Sequence, residues 1–236
     1  YKPKIVTLKK GSLHILPTPL AEDALQTLPM MNYSVIRSIK IWYVENLRTA
    51  RRFLKQIDKQ IDIDTCTFYE LNIQNEDSLQ YAPSLFEKGN GIGLLSECGC
   101  PGIADPGSKL VKIAHQMHAD VIPYVGPNSI VLAIMSSGFN GQSFRFHGYL
   151  PNKQPLLRNT IKEIEKESKE RNISQFFIET PYRNNSLLHE LIECASAQTK
   201  ISIACDLTGT QQEIVVASAA EWRKKTIHFH KRPAVF

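Results

Sequence analysis

The stretch with the most chemical content is Leu94-Leu-Ser-Glu-Cys-Gly-Cys-Pro-Gly-Ile-Ala-Asp-Pro-Gly107. A short apolar run, Gly91 to Ser96, breaks into a segment carrying Gly99, Pro101, Gly102, Pro106 and Gly107. Glycine opens backbone conformations closed to other residues and lets a ligand reach the main chain, while proline fixes φ and stiffens a loop without a partner. The pattern predicts a buried strand that ends in a rigid turn. Such turns at the C-terminal ends of parallel strands are where open α/β sheets bind ligands, although an ordinary tight strand-to-helix connection has the same composition. Cys98 and Cys100 add two thiols, but their C-x-C spacing lacks the second ligand pair of a zinc site, so no metal is expected. Nothing basic is assigned beside them to lower a thiol pKa, and they are read as small loop residues rather than nucleophiles.

A second group of residues follows Asn46, a good N-cap because its side chain can accept from an orphan N–H. Leu47, Ala50, Leu54, Ile57 and Ile61 recur at helical spacing. They predict a helix with a buried stripe. Arg48, Arg51, Arg52, Lys55 and Lys59 fall largely on another face, either as a solvated surface or as a ridge that contacts phosphates.

The elements that must position these residues alternate in type. Strands are expected over Ser12–Leu16, Ile39–Val44, Cys66–Leu71, Ile92–Ser96 and Asp120–Val125, with helices after Asn46, over Ser78–Lys88 and over Lys109–Met117. This alternation implies βαβ units and a mostly parallel sheet over residues 12–125. Loops at Pro17, Pro101 and Pro127 each follow a strand, so in a parallel sheet they share one edge and can line one pocket. Residues 126–236 change character. A helix starts at Gly126-Pro-Asn-Ser129 and ends near Gly138. Strands over Ser143–His147, Gln175–Glu179, Ile201–Asp206, Glu213–Ala217 and Pro233–Phe236 surround helices over Leu156–Glu170 and Asn185–Cys194, with a loop at Gly148–Lys153. That predicts a mixed α+β domain with antiparallel pairs. Residues 1–11 form a basic N-terminal arm with Lys2, Lys4, Lys9 and Lys10.

At 236 residues the chain can hold two cored domains. No apolar run reaches the roughly 20 residues of a membrane span, and no charged-then-apolar leader is visible, so a cytoplasmic location is expected. Five scattered cysteines argue against a disulfide framework and fit a reducing compartment. The formal charge of +5 permits a polyanionic partner without demanding one.

Seven segments occur here in a familiar order: Pro17-Thr-Pro19, Val44-Glu-Asn-Leu-Arg48, Ser96-Glu-Cys-Gly-Cys-Pro-Gly-Ile-Ala-Asp-Pro-Gly107, Pro123-Tyr-Val-Gly-Pro-Asn-Ser129, Gly148-Tyr-Leu-Pro151, Glu179-Thr-Pro-Tyr-Arg183 and Asp206-Leu-Thr208. From about residue 12 onward the chain resembles the tetrapyrrole methylase superfamily. The order is most similar to its branch that methylates the ribose 2′-hydroxyl of a cytidine in small-subunit ribosomal RNA. The resemblance implies an α/β, two-domain tetrapyrrole methylase-like fold, a homodimer, and S-adenosylmethionine bound in the cleft between domains. Carried over residue by residue, it puts the cofactor against Pro17, Thr18, Pro19, Ser96, Gly99, Cys100, Pro101, Ile103, Ser129, Ile130, Thr180 and Cys205, with Asp105 and Pro106 bracing the loop. RNA, as ribosomal RNA or the small subunit, is then the partner of Arg48, Arg51, Arg52, Lys55 and Arg183, although Arg183 could equally meet a partner subunit.

This chain departs from the branch where it has Glu97-Cys98 for Asp-Ala, Cys100 for Thr, Asn46-Leu47 for Asp-Thr, and Leu20-Ala-Glu-Asp23 for the Gly-Asn that follows the first loop. Backbone contacts to a cofactor survive such changes, whereas acceptor identity is less protected. A sulfonium methyl is already activated, so the protein must chiefly align the reactants and exclude water. A ribose hydroxyl gains from a general base, and Glu97 and Glu179, each at a strand end beside a motif, are the candidates, with loop bracing the alternative for both. Two other functions stay open: a tetrapyrrole methylase, and a cofactor-sensing RNA-binding module without catalysis.

Overall fold

The computed structural model of the chain describes residues 11–71 and 77–236, so the arm expected over residues 1–11 lies outside the described residues apart from Gly11. Two compact units emerge, one from the residues through Pro19 with Leu25–Pro127, the other from Leu20–Ala24 with Asn128–Phe236.

In the first unit β1 (Ser12–Ile15), β2 (Ile41–Val44), β3 (Thr67–Glu70), β4 (Gly91–Leu95) and β5 (Asp120–Pro123) form one sheet in the order β3-β2-β4-β1-β5. Every pair in it is parallel. Helices α1 (Met30–Ser38), α2 (Leu47–Ile57), α3 (Ala82–Glu87) and α4 (Ser108–Gln116) make the crossovers. Leu16, Trp42, Val44 and Leu95 pack with Ile36 of α1 and Phe53 and Leu54 of α2, while Leu13, Tyr43, Ile92 and Leu94 pack with Phe86 of α3 and Leu110 of α4. Both faces are therefore covered, as a parallel sheet demands. Gly93 makes room for the indole of Trp42, since a Cβ there would lie 2.3 Å from the ring.

The second unit contains α5 (Ser129–Ser137), β6 (Phe144–Tyr149), α6 (Leu156–Arg171), β7 (Ser174–Ile178), α7 (Asn184–Cys194), β8 (Lys200–Cys205), β9 (Glu213–Ser218), α8 (Ala219–Trp222) and β10 (Ala234–Val235). Its sheet runs β6-β7-β10-β8-β9; β6 and β7 are parallel and the other pairs antiparallel. Leu157, Ile161, Leu188, Leu191 and Trp222 place α6, α7 and α8 on one face. Ala133 places α5 on the other, against Phe176, Ala204 and Val235. The segment after Pro19 is tied into this unit where Thr210 N–H donates to Asp23 Oδ2 at 3.1 Å.

Four expectations need correction. The helix α1 was not anticipated, because its buried positions are Asn32 and Ile36 while Met30 and Met31 are exposed, so no apolar stripe marks it. The single helix expected over Ser78–Lys88 is a 3-10 segment, Asp77–Tyr81, followed by α3, which starts at Ala82 with Pro83 in its first turn. A proline lacks the N–H needed inside a helix but is tolerated in its first turn. Ile61 lies beyond α2, which turns extended at Asp58; it still packs on that core, and Phe53 completes the buried stripe. Gly148 and Tyr149 belong to β6 rather than to a loop, with a register shift between Phe146 and Tyr149 and a positive φ of 67° at Gly148, the mark of a bulge.

Candidate cofactor site

The sheet order of the first unit creates a crevice. β1 and β4 are adjacent, yet the chain leaving β1 goes to β2 on one side and the chain leaving β4 goes to β5 on the other. The space beyond their C-terminal ends is the topological switch point of the sheet, the place where such sheets take ligands.

The turns after β1, β4 and β5 meet there. Thr18 N–H donates to the Gly99 carbonyl at 2.9 Å and Gly99 N–H to the Thr18 carbonyl at 3.2 Å. The buried Ser96 hydroxyl donates to the Gly99 carbonyl at 3.2 Å, and Thr18 Oγ1 to the Ser96 carbonyl at 3.4 Å. From the third turn, the Pro127 carbonyl accepts from the Cys100 thiol at 3.4 Å. Gly126 lies so close to the Pro17 ring that a Cβ would sit 2.1 Å from Cγ. Gly99 and Gly102 hold φ of 74° and 79°, which glycine adopts without strain. Pro17, Thr18 and Pro101 are buried, Pro19 is half-buried, and Gly102 and Ile103 project outward. Of the residues carried over for the cofactor, the structure thus gathers Pro17, Thr18, Pro19, Ser96, Gly99, Cys100, Pro101 and Ile103 in one loop cluster.

Three carboxylates flank that cluster. Glu97 N–H donates to Glu45 Oε2 at 2.9 Å, and Thr49 Oγ1 to Glu97 Oε1 at 3.3 Å. Burial, then the charges of Glu45 and Glu97, pushes the Asp105 carboxyl up to about 7. Burial also raises Glu45, against the bond from Glu97 N–H. Cys98 is exposed; local desolvation and the charges of Asp105, Glu45 and Glu97 push its thiol upward. Asp105 as a group able to exchange a proton near pH 7 was missed in the sequence. Its signal is tertiary, because Glu45 at the end of β2 is remote in sequence from Glu97 and Asp105.

α2 begins beside this group. Asn46 Oδ1 accepts from Arg48 N–H at 2.9 Å and Thr49 N–H at 3.2 Å, as its position predicted. Arg48, Arg51, Arg52, Lys55 and Lys59 are all exposed. The Arg51 guanidinium lies 5.2 Å from the Phe68 ring centre.

In the second unit Ser129 and Ile130 form the first turn of α5, whose N-cap Asn128 accepts from Val131 N–H at 3.0 Å. Thr180 and Cys205 follow or end β7 and β8. Each of those strands is antiparallel to β10 between them, so their C-terminal ends share one edge. Burial raises the Cys205 thiol to about 11. Glu179 is 8% exposed and engaged: Oε1 accepts from Thr180 N–H at 2.7 Å, and Oε2 lies 3.4 Å from Arg183 Nη2. Arg183 is therefore an ion-pair partner within its own unit. Among the described residues no group of His, Cys, Asp and Glu is arranged to hold a metal, and no helix is long and apolar enough to cross a membrane.

No family model matches the chain. It is 31% identical over 212 residues to the ribosomal RNA small subunit methyltransferase I of Vibrio cholerae, covering 89% of this chain and 69% of that protein. The chain belongs to the ribosomal RNA small subunit methyltransferase I family, among the tetrapyrrole methylases. Family members of the same name from Buchnera aphidicola and Thermotoga maritima are 28% and 27% identical, with 76% and 93% of their lengths covered. The crystal structure of the methyltransferase CobJ is similar in fold, with a TM-score of 0.63 at 16% identity over 95% of this chain and 92% of that one.

Proposed function

We propose that the chain is an S-adenosylmethionine-dependent methyltransferase whose acceptor is a ribose 2′-hydroxyl of small-subunit ribosomal RNA. The observation that carries the reading is the mutual contact of the three strand-end turns at the β1/β4 switch point. The cofactor supplies an activated methyl group on a sulfonium sulfur. Pro17 to Pro19, Ser96, Gly99 to Pro101 and Ile103 would hold it.

The residues fit a donor that is positively charged at sulfur and at its amino group. Glu45 and Glu97 give this end of the sheet a negative field, and the main chain of the turns offers fixed dipoles that need no reorganisation. For transfer, the acceptor oxygen must bond to the methyl carbon as the carbon–sulfur bond breaks, and the hydroxyl proton must leave. Glu97, exposed at the end of β4, and Asp105, which can take a proton near neutrality, would receive it. Glu179 is better suited to bracing, since both its oxygens are engaged.

The ridge on α2 would contact RNA phosphates, which favours an extended polyanion over a tetrapyrrole as acceptor. The chain would act as a homodimer in the cytoplasm, where ribosomal subunits are assembled; light scattering on the purified protein measures the subunit number. The function is tested by calorimetry with S-adenosylmethionine, followed by transfer of labelled methyl to small ribosomal subunits and to a tetrapyrrole precursor. Label in ribose of the small-subunit RNA is expected. Label in the tetrapyrrole alone, or cofactor binding with no transfer to either acceptor, would remove the reading.

A further inference from the structure

In the second unit the turn before β10 is tied to the start of α7 along its whole length. Phe229 is 1% exposed, and its ring meets that of Trp222 in the core. Its N–H donates to Asn185 Oδ1 at 2.9 Å, while Nδ2 of the buried Asn184 donates to the carbonyls of Phe229, at 3.2 Å, and of Arg232. Lys231 N–H donates to the Pro181 carbonyl at 2.8 Å. Lys231 is held there at a φ of 62°, which a residue with a Cβ adopts only at a cost. Pro181–Asn185 and Phe229–Arg232 thus make one braced frame after the end of β7.

The frame presents Tyr182, which is 69% exposed. Lys231 Nζ stands over its ring, 5.6 Å from the centre, and the His230 ring meets it at 77° with 6.0 Å between centres. A lone exposed aromatic side chain is ordinary on a protein surface. A pinned turn that sets a cation and an imidazole against such a ring, and leaves most of it in solvent, is not.

The neighbouring charges decide what the ring can take. Arg183 lies 3.4 Å from Glu179 Oε2, Arg232 is paired with Asp206 and Glu213, and His228 with Glu213. Lys231 has no carboxylate within ion-pair distance among the described residues, so its ammonium is the cation left to meet an anion from outside. An aromatic face beside such a cation matches an unpaired nucleotide, whose base stacks while its phosphate meets the charge. A duplex, with its bases stacked on one another, offers no such face.

We infer that Tyr182, His230 and Lys231 form a stacking platform for an unpaired nucleotide of RNA, built from none of the residues of the α2 ridge. The base lies on Tyr182, Lys231 takes the adjoining phosphate, and His230 steadies the ring. The inference rests on the reading of RNA as the acceptor, and adds that the RNA meets the second unit as a single strand.

The test follows the fluorescence anisotropy of a labelled RNA of about ten nucleotides, single-stranded or annealed to its complement, with the full chain and its Tyr182→Ala, Tyr182→Phe and Lys231→Ala variants. Tyr182→Ala is expected to weaken single-strand binding about tenfold and to leave duplex binding unchanged. Tyr182→Phe keeps the ring and should bind as the parent does. Lys231→Ala should flatten the slope of log affinity against log salt by about 0.7. Single-strand binding by Tyr182→Ala equal to the parent's, or an equal loss for single strand and duplex, would overturn the platform. So would a loss in Tyr182→Phe as large as that in Tyr182→Ala. Methyl transfer is measured apart from binding. A parent that methylates small subunits while Tyr182→Ala binds the single strand unchanged refutes the platform alone; a parent that transfers no methyl while the variants bind as expected refutes the methyltransferase reading alone.

Discussion

Gly126 and Asp105 carry the sharpest consequences for single side chains. A Cβ at Gly126 would overlap the Pro17 ring at 2.1 Å, and neither the turn after β1 nor that after β5 can retreat without breaking its contacts with Gly99 and Cys100. Gly126→Ala is expected to cost about 2 kcal/mol and to weaken S-adenosylmethionine binding, read by thermal melting and calorimetry. Asp105 makes a pH prediction. Folded, its carboxyl keeps a proton up to about 7, against an ordinary value of 3.8 in the unfolded chain. Between those values the folded state binds more protons, so stability falls as pH rises through the window and the full penalty stands above 7. Asp105→Asn removes the penalty and should gain on the parent progressively from pH 4 to 8, by roughly 1 kcal/mol after solvent screening. A difference between the two proteins that is flat over that range would show that the carboxyl is not held protonated.

At the scale of elements, α2 joins the loop cluster to the basic ridge. Its start is fixed by Asn46, and Thr49 in its first turn reaches Glu97. Asn46→Ala should therefore lower stability by about 1 kcal/mol in urea unfolding. The ridge itself can be altered without touching the core, because its side chains are exposed. With Arg48 and Arg52 both changed to Glu, RNA affinity should drop and the slope of log affinity against log salt should flatten by about two, while affinity for the cofactor holds. Unchanged salt dependence would return the ridge to an ordinary solvated face. The position of α2 was legible because a cap, a stripe and a charged face all agreed. α1 was not, since Asn32 occupies its buried face, donating to the Val125 carbonyl at 3.0 Å. A polar side chain that spends its hydrogen bond on a neighbouring turn leaves no hydrophobic period to detect.

For the molecule as a whole, a cofactor that binds only the folded chain must stabilise it. At a hundredfold excess over Kd the gain is about 2.7 kcal/mol, or roughly 5–10 °C in Tm for a chain of this length. A melt indifferent to S-adenosylmethionine at millimolar concentration would remove the cofactor assignment and leave the fold untouched.

The alternation of strands with helices up to Pro123, the glycine- and proline-rich turns that end β1, β4 and β5, and the order of seven motifs were all present in the residues themselves. These are local properties: period, backbone freedom and fixed φ act within a few positions, and they determined the parallel sheet and pointed to its ligand edge. Strand order, the contact of Gly126 with Pro17 and the approach of Glu45 to Glu97 and Asp105 were decided only in three dimensions. Each depends on residues far apart in sequence being held together by burial, and pairing across that distance leaves no period or motif in the chain for a reader to find.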